Sequence, residues 1–481
     1  MTAGRSSGPS TFGRVYVATV GLLDRSRIVA APGWSRWLVP PAALSIHLAI
    51  GSAYAWSVFK IPLEKSLHVS GTASAMPFTI GIVMLGLSAA VFGTRVDHSG
   101  PRWAMFVATV CFCSGLLIAG FGVSVRQYWL VVFGYGVVGG IGLGVGYISP
   151  VSTLMKWFPD RPGMATGLAI MGFGGGALIA SPWSNSLLNE FGRTSTAGIA
   201  KTFVVMGCTY AVFMSMGWLL IRVPAPGWRP DGWEPKPHKA GSVVATAGVS
   251  AANAIKTPQF WLLWVVLCFN VTAGIGILEK ASPIYQDFFP TAPRAAVLAS
   301  AAAGYVALLS LANMAGRIGW STLSDALGRK NMYRFYLGGG ALLYLTLALT
   351  TNSNKLTFLL CTVLILSFYG AGFSTIPAYL RDLFGTYEVG AIHGRLLTAW
   401  SVAGVLGPLI VNAIADSQKA VGKHGPDLYI VSFQVMIALL VVGMVCNELI
   451  RPVRPTHHQS APSDDASLAS ETVSYQPEAQ P

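Results

Sequence analysis

Long apolar runs alternate with short polar punctuation along almost the whole chain. A helix that crosses a bilayer needs about 20 mostly apolar residues. That window finds twelve candidates, near 37–60, 76–95, 103–124, 129–154, 164–188, 203–222, 259–281, 296–321, 332–350, 356–379, 395–415 and 428–449. None shows the alternating polarity of an outer-membrane strand. The pattern therefore predicts an all-α membrane protein with twelve transmembrane helices. A shorter apolar run at 15–23 is flanked by arginines and followed by Asp24. It reads as a leader at the membrane surface, neither a span nor a cleavable signal.

Composition agrees. Of 481 residues, 53% are hydrophobic and only 11% charged, against roughly 25% charged in soluble domains. A water-soluble fold, a disordered chain and a collagen are all excluded. The net charge of +13 is explained by where the basic residues lie. The loops that share a side with the two termini carry roughly twice as many Lys and Arg as the opposite loops, which places both termini in the cytoplasm. No nucleic-acid partner is needed to account for the charge. The expected organisation is a cytoplasmic N-terminal segment (1–36), a six-helix half (37–222), a cytoplasmic central loop (223–257), a second six-helix half (258–450) and a disordered tail (451–481). With no organelle address evident, the expected location is the cell membrane. All six cysteines lie in apolar runs without disulfide or zinc spacing. They read as packing residues, and neither a metal nor a cofactor is expected.

The chain repeats itself. Gly93-x-x-x-Asp97-x-x-Gly100-Pro101-Arg102 follows the second span, and Ser321-x-x-x-Asp325-x-x-Gly328-Arg329-Lys330 follows the eighth. Pro150, Gly163 and Gly167 recur in the same way as Pro377, Gly390 and Gly394. Two motifs repeated at nearly the same offset mean two pseudo-symmetric halves, the architecture of a transporter whose halves rock about a site between them.

The duplicated Asp-x-x-Gly-x-Arg loop resembles the signature of the major facilitator superfamily. Three further stretches narrow the resemblance: Gly51-Ser-Ala-Tyr54-Ala-Trp56-Ser-Val-Phe59, Lys156-Trp157-Phe158-Pro159-Asp160-Arg161-Pro-Gly-Met-Ala-Thr-Gly167, and Gly394-Arg395-Leu-Leu-Thr398-Ala-Trp400-Ser-Val-Ala-Gly404. Together they are similar to the oxalate/formate antiporter family and its relatives, the monocarboxylate transporters. The resemblance implies a small carboxylate substrate. It also implies a conformational latch at Asp97, Gly100, Arg102, Asp325, Gly328 and Arg329, with the carboxylates meeting basic groups and a helix N-terminus. Two departures are visible. Ser321 stands where the loop signature has glycine. Trp400 lies in the stretch of span 11 where the oxalate exchanger carries a lysine, which favours a singly charged anion.

Arg317 is the leading candidate site residue. It lies eight residues before Asp325, so at ~1.5 Å per residue it sits ~12 Å into the membrane. An arginine at that depth is costly and marks a wet functional cavity, and its planar fork matches a carboxylate. The alternative is an arginine snorkelling to the interface. The resemblance implies that an arginine here binds substrate. Asn313 lies one turn earlier on the same face, where relatives often carry an aspartate. Tyr54, Tyr147, Phe373 and Trp400 lie on the spans expected to line the pathway, and each is equally readable as packing. The glycines of span 4 read as close helix packing. His47, in span 1, is a candidate for proton coupling or a packing histidine. Lys60 is placed to steer anions, and Glu279 with Lys280 is placed either to pair as a gate or simply to sit at the membrane interface.

The reading is a secondary transporter, not an enzyme, moving a monocarboxylate such as lactate, pyruvate or formate. It would work by alternating access, as antiport or proton symport, and as a monomer. The alternatives on the same fold are an oxalate or dicarboxylate exchanger and a drug/proton efflux pump. The pump lacks the membrane-embedded acid it would need. An enzyme lacks a clustered nucleophile, base or metal set.

Overall fold

The computed structural model describes residues 21–23, 25–234, 248–289, 295–350 and 354–458. Most of the leader run at 15–23 and the tail beyond 458 thus lie outside the described residues. Regular structure among those described is helical, apart from isolated bridge positions such as the Val29–Val223 pair.

Among the described residues there are twelve long helices. In the first half, α1 is built from Val39–Gly51, a 3-10 turn Ser52–Ala55 and Ser57–Leu67. Then come α2 (Gly71–Ser99) and α3 (Pro101–Ser124), followed by α4, which combines Tyr128–Val131, a π segment Val132–Val138 and Gly139–Trp157. The half ends with α5 (Pro162–Phe191) and α6 (Thr196–Leu220). The second half has α7 (Pro258–Glu279), α8 (Ala295–Leu327), α9 (Arg329–Leu349) and α10 (Lys355–Phe384). It ends with α11, broken at Leu397 into Val389–Leu396 and Thr398–Ala420, and α12 (Ile430–Leu449). Within the described residues, ten of these are individually long and apolar enough to cross a membrane. In α9, Arg329, Lys330 and Arg334 crowd the first turns and lower its hydropathy, whereas α8 runs charge-free from Ala295 to Gly316 before it reaches Arg317 and Asp325.

The starts follow local chemistry. The Ser70, Ser195 and Thr257 side chains accept from the backbone N–H three residues on, satisfying donors that the helix itself leaves open. Prolines stand at the first position of α3, α5 and α7, where the missing N–H costs nothing. Gly100 and Gly328 close the two motif loops with φ of 86° and 84°, a region that side-chain-bearing residues avoid.

The repeat is carried into contacts. Arg102 donates to the Trp218 and Leu219 carbonyls at 3.1 Å each, at the C-terminal end of α6. Its counterpart Lys330 donates to the Glu448 carbonyl at 2.8 Å and the Ile450 carbonyl at 3.1 Å, at the end of α12. Both cations meet the negative end of a helix dipole in their own half. The halves face each other along α5 and α8 and along α2 and α11.

Candidate functional site

Arg317 is wholly buried, so it does not snorkel. Its Nε donates to Asn313 Oδ1 at 2.9 Å, the i,i+4 partner that the helical spacing requires. Its Nη1 donates to the Ile170 carbonyl of α5 at 3.2 Å. Its Nη2 has no hydrogen-bond partner among the described residues, and no ion pair found among them includes it. The guanidinium carbon lies 5.7 Å from the Phe173 ring and 5.3 Å from the Phe373 ring. Such cation–π contacts return only about 0.5–2 kcal/mol, well short of the several kcal/mol that desolvating an ion costs. Two glycines make the room: a Cβ at Gly174 would stand 2.9 Å from Arg317 Nε, and one at Gly370 would press on Asn313.

Aromatic rings close the cage. Trp400 packs on Phe373 at 4.2 Å and on Tyr147 and Phe173 at 5.3 Å each. Tyr54 meets Phe173 edge-on at 5.1 Å, and its hydroxyl bonds that of Tyr369 across the halves at 2.8 Å. The charge of Arg317 reaches the Tyr54 and Tyr147 hydroxyls. Among the described residues, the Tyr147 hydroxyl and the Trp400 Nε1–H, like Arg317 Nη2, are buried with no partner at hydrogen-bonding geometry. Two unpaired polar groups able to donate thus share this cage with a buried cation that has an unpaired donor of its own. Arg317, Asn313, Tyr54, Tyr147, Phe373 and Trp400 all come together here. Phe173 and Tyr369 belong to the same wall and escaped the sequence reading.

A cavity of about 680 Å³ leads away from this cage. Tyr54 lines its floor and Lys60, Glu279 and Asp416 its mouth. Lys60 Nζ lies 3.3 Å from Glu279 Oε1, joining α1 to α7 across the halves. The expected Glu279–Lys280 pair is therefore corrected: among the described ion pairs Glu279 reaches the facing half, because neighbours in sequence on a helix do not face each other.

The opposite end is tied shut. Asp325 accepts from the Gly163 and Met164 N–H groups at 2.9 and 3.0 Å, at the N-terminus of α5, and from Arg329 at 2.5 Å. Arg329 also meets Asp382 at 3.4 Å. Arg381 donates to the Pro159 carbonyl at 3.4 Å, and Thr166 to the Ser374 carbonyl at 2.6 Å. The side chain of Asp97 lies outside the described part of the structure. Arg102 sits apart from this junction, on α6 as described above. His47 is wholly buried, with its Nδ1 at the Ala169 carbonyl and its Nε2 3.1 Å from the Tyr147 carbonyl. Among the described residues no cluster of His, Cys, Asp or Glu is arranged to hold a metal.

Comparison with known proteins places the family and the fold. The sequence profile of the Major Facilitator Superfamily matches residues 42–408 and again 299–474. The chain is 25% identical to the oxalate:formate antiporter of Oxalobacter formigenes, over 87% of this chain and 94% of that one. It is 24% identical to apicoplast pyruvate carrier 1 of Toxoplasma gondii, over 88% and 91%, and 22% identical to human monocarboxylate transporter 12, over 92% and 86%. Its fold matches the crystal structure of the Escherichia coli fucose:proton symporter with a TM-score of 0.60 at 14% identity, covering 87% of this chain and 99% of that one. The chain belongs to the Major Facilitator Superfamily and is a multi-pass membrane transporter, not an enzyme.

Proposed function

We propose that the protein carries a small monocarboxylate across the membrane by alternating access, with Arg317 as the anion site. The observation that carries the reading is a fully buried guanidinium without a carboxylate partner among the described ion pairs, beside two further unpartnered polar groups. A buried charge left unpaired is expensive, and an anion relieves that cost where a neutral or cationic solute does not. A single cation in the cage favours a singly charged ligand over oxalate. The rings of Phe173, Phe373 and Trp400 suit a short organic body, while Tyr147 and Trp400 supply donors to its oxygens. The named relatives move oxalate and formate, pyruvate, and monocarboxylates, which supports the same class.

The ties around Asp325 and the open cavity at the other end fit one access state of such a cycle. The basic-loop bias makes the tied end cytoplasmic, so the cavity faces outward and both termini lie in the cytoplasm of the cell membrane. Binding neutralises Arg317 and removes the cost of moving its charge, ~2.3 kcal/mol per 100 mV. The test is uptake of radiolabelled lactate, pyruvate, formate and oxalate into proteoliposomes. Saturable uptake of a monocarboxylate, with oxalate weaker, is expected. Uptake of none of the four, or of oxalate alone, would overturn the assignment.

A further inference from the structure

We propose that His47 is the proton-carrying group of this transporter, taking its proton only while an anion neutralises Arg317; the proposal rests on the anion reading of Arg317. Three observations support it. First, both ring nitrogens of His47 face backbone carbonyl oxygens, Ala169 O from α5 and Tyr147 O from α4. A neutral imidazole has one N–H, so one of these contacts sets lone pair against lone pair. An imidazolium donates to both. Two acceptors thus await the protonated ring and offset part of the cost of burying its charge, and no ion pair among the described residues includes it.

Second, the carbonyl at His47 and the carbonyl at Arg317 belong to consecutive residues of α5, Ala169 and Ile170. The proton site and the anion site share one short stretch of backbone. Third, the charge that reaches the ring is Arg317's. Of the elements packed around this stretch of α1, α4 faces the ring with Tyr147 at 5.5 Å, and α5 faces it with the Ala169 carbonyl and Gly172. The ionisable Tyr210 of α6 sits farther along, at Ser52. Two positive charges so placed oppose each other, and a carboxylate on Arg317 removes the opposition. Anion and proton then bind with positive coupling, which by linkage runs both ways.

The step makes and breaks only an N–H bond. The proton comes from water on the side to which the site is open and returns to water on the other side. His393 is also buried, but its Nε2 has no partner among the described residues, so no acceptor there favours a charged ring.

The experiment compares wild type, His47→Gln, His47→Asn and His393→Gln in proteoliposomes with labelled lactate. One arm imposes a pH gradient, and the other measures lactate-for-lactate exchange at equal pH. Wild type should accumulate lactate about tenfold per pH unit, the equivalence of one proton moved with one anion. Both His47 variants should lose that accumulation and keep exchange within about threefold, because Arg317, which they leave intact, still holds the anion. His393→Gln should accumulate as wild type does. Proton uptake by detergent-solubilised wild type on lactate addition in weak buffer gives the same answer without relying on a variant's folding, and Arg317→Gln should take up none. Exchange by wild type without pH-driven accumulation, accumulation retained in His47→Gln, or loss confined to His393→Gln would each overturn the proposal. Absence of both exchange and accumulation in wild type would overturn the anion reading, and this one with it.

Discussion

Replacing Asp325 with Asn tests the junction that holds one end of the molecule shut. The carboxylate accepts two backbone N–H bonds at the start of α5 and one from Arg329. Asparagine offers a single acceptor oxygen and turns an N–H₂ toward donors, so at least one backbone bond and the ion pair are lost. A hydrogen bond to a charged group is worth about 1.5–3 kcal/mol, and the helix-dipole contribution adds about 0.3–1 kcal/mol. Asp325 is 21% exposed in its side chain, so solvent screens part of this. A net weakening of about 1.5–3 kcal/mol moves the balance between tied and untied states by ~10–100-fold. Thr166, whose hydroxyl bonds the Ser374 carbonyl across the halves, is wholly buried in the tied end, and opening that end is expected to expose it. In a Thr166→Cys background with the exposed Cys208 replaced by serine, maleimide labelling at position 166 should accelerate by that factor on Asp325→Asn. A labelling rate within about twofold of the parent, in a variant that still inserts and melts normally, would refute the reasoning.

Gly370→Ala drives a methyl group onto Asn313 and toward Arg317; overpacking of this kind costs about 1–3 kcal/mol, so lactate uptake should fall about fivefold or more with a lowered Tm. Gly304→Ala, with open space at its Cβ position, should be silent in both assays. Lys60→Gln and Glu279→Gln each remove the ion pair across the cavity mouth. For a partly exposed pair worth about 0.2–1 kcal/mol, transport rates should change up to about fivefold, and the exchanged pair Lys60→Glu with Glu279→Lys should return within twofold of wild type. Failure of the exchange to restore the rate would show that the two charges act separately.

The spans and the motif ends were legible because periodicity, proline and glycine act locally. Arg317 and Asn313 stood out because a cation is rare inside an apolar run, and their bond follows from a spacing of four residues. What the sequence hid depends on which helices meet. Phe173 and Tyr369 look like any membrane aromatics until α5 and α10 bring them to Arg317 and Tyr54. Glu279 reads naturally beside Lys280, yet the approach of α1 delivers Lys60 instead. Arg102 belongs to a recognisable motif, but its three carbonyl partners are set by the ends of α6 and by Leu22. The breaks within α1, α4 and α11 fall beside Gly51, Gly134 with Gly136, and Gly394, but the sequence does not separate these glycines from the others that simply continue a helix.

The central claim is that one buried arginine holds the anion. Its most direct test is a binding titration of purified wild type, Arg317→Gln and Arg317→Lys with lactate and with pyruvate, read by calorimetry and by ligand-induced thermal stabilisation. Loss of a charge-assisted bond of about 1.5–3 kcal/mol predicts that Arg317→Gln binds one to two orders of magnitude more weakly. Lysine should recover only part of the affinity, since a point charge lacks the planar fork. Carboxylate binding by a folded Arg317→Gln variant at wild-type affinity would contradict the account.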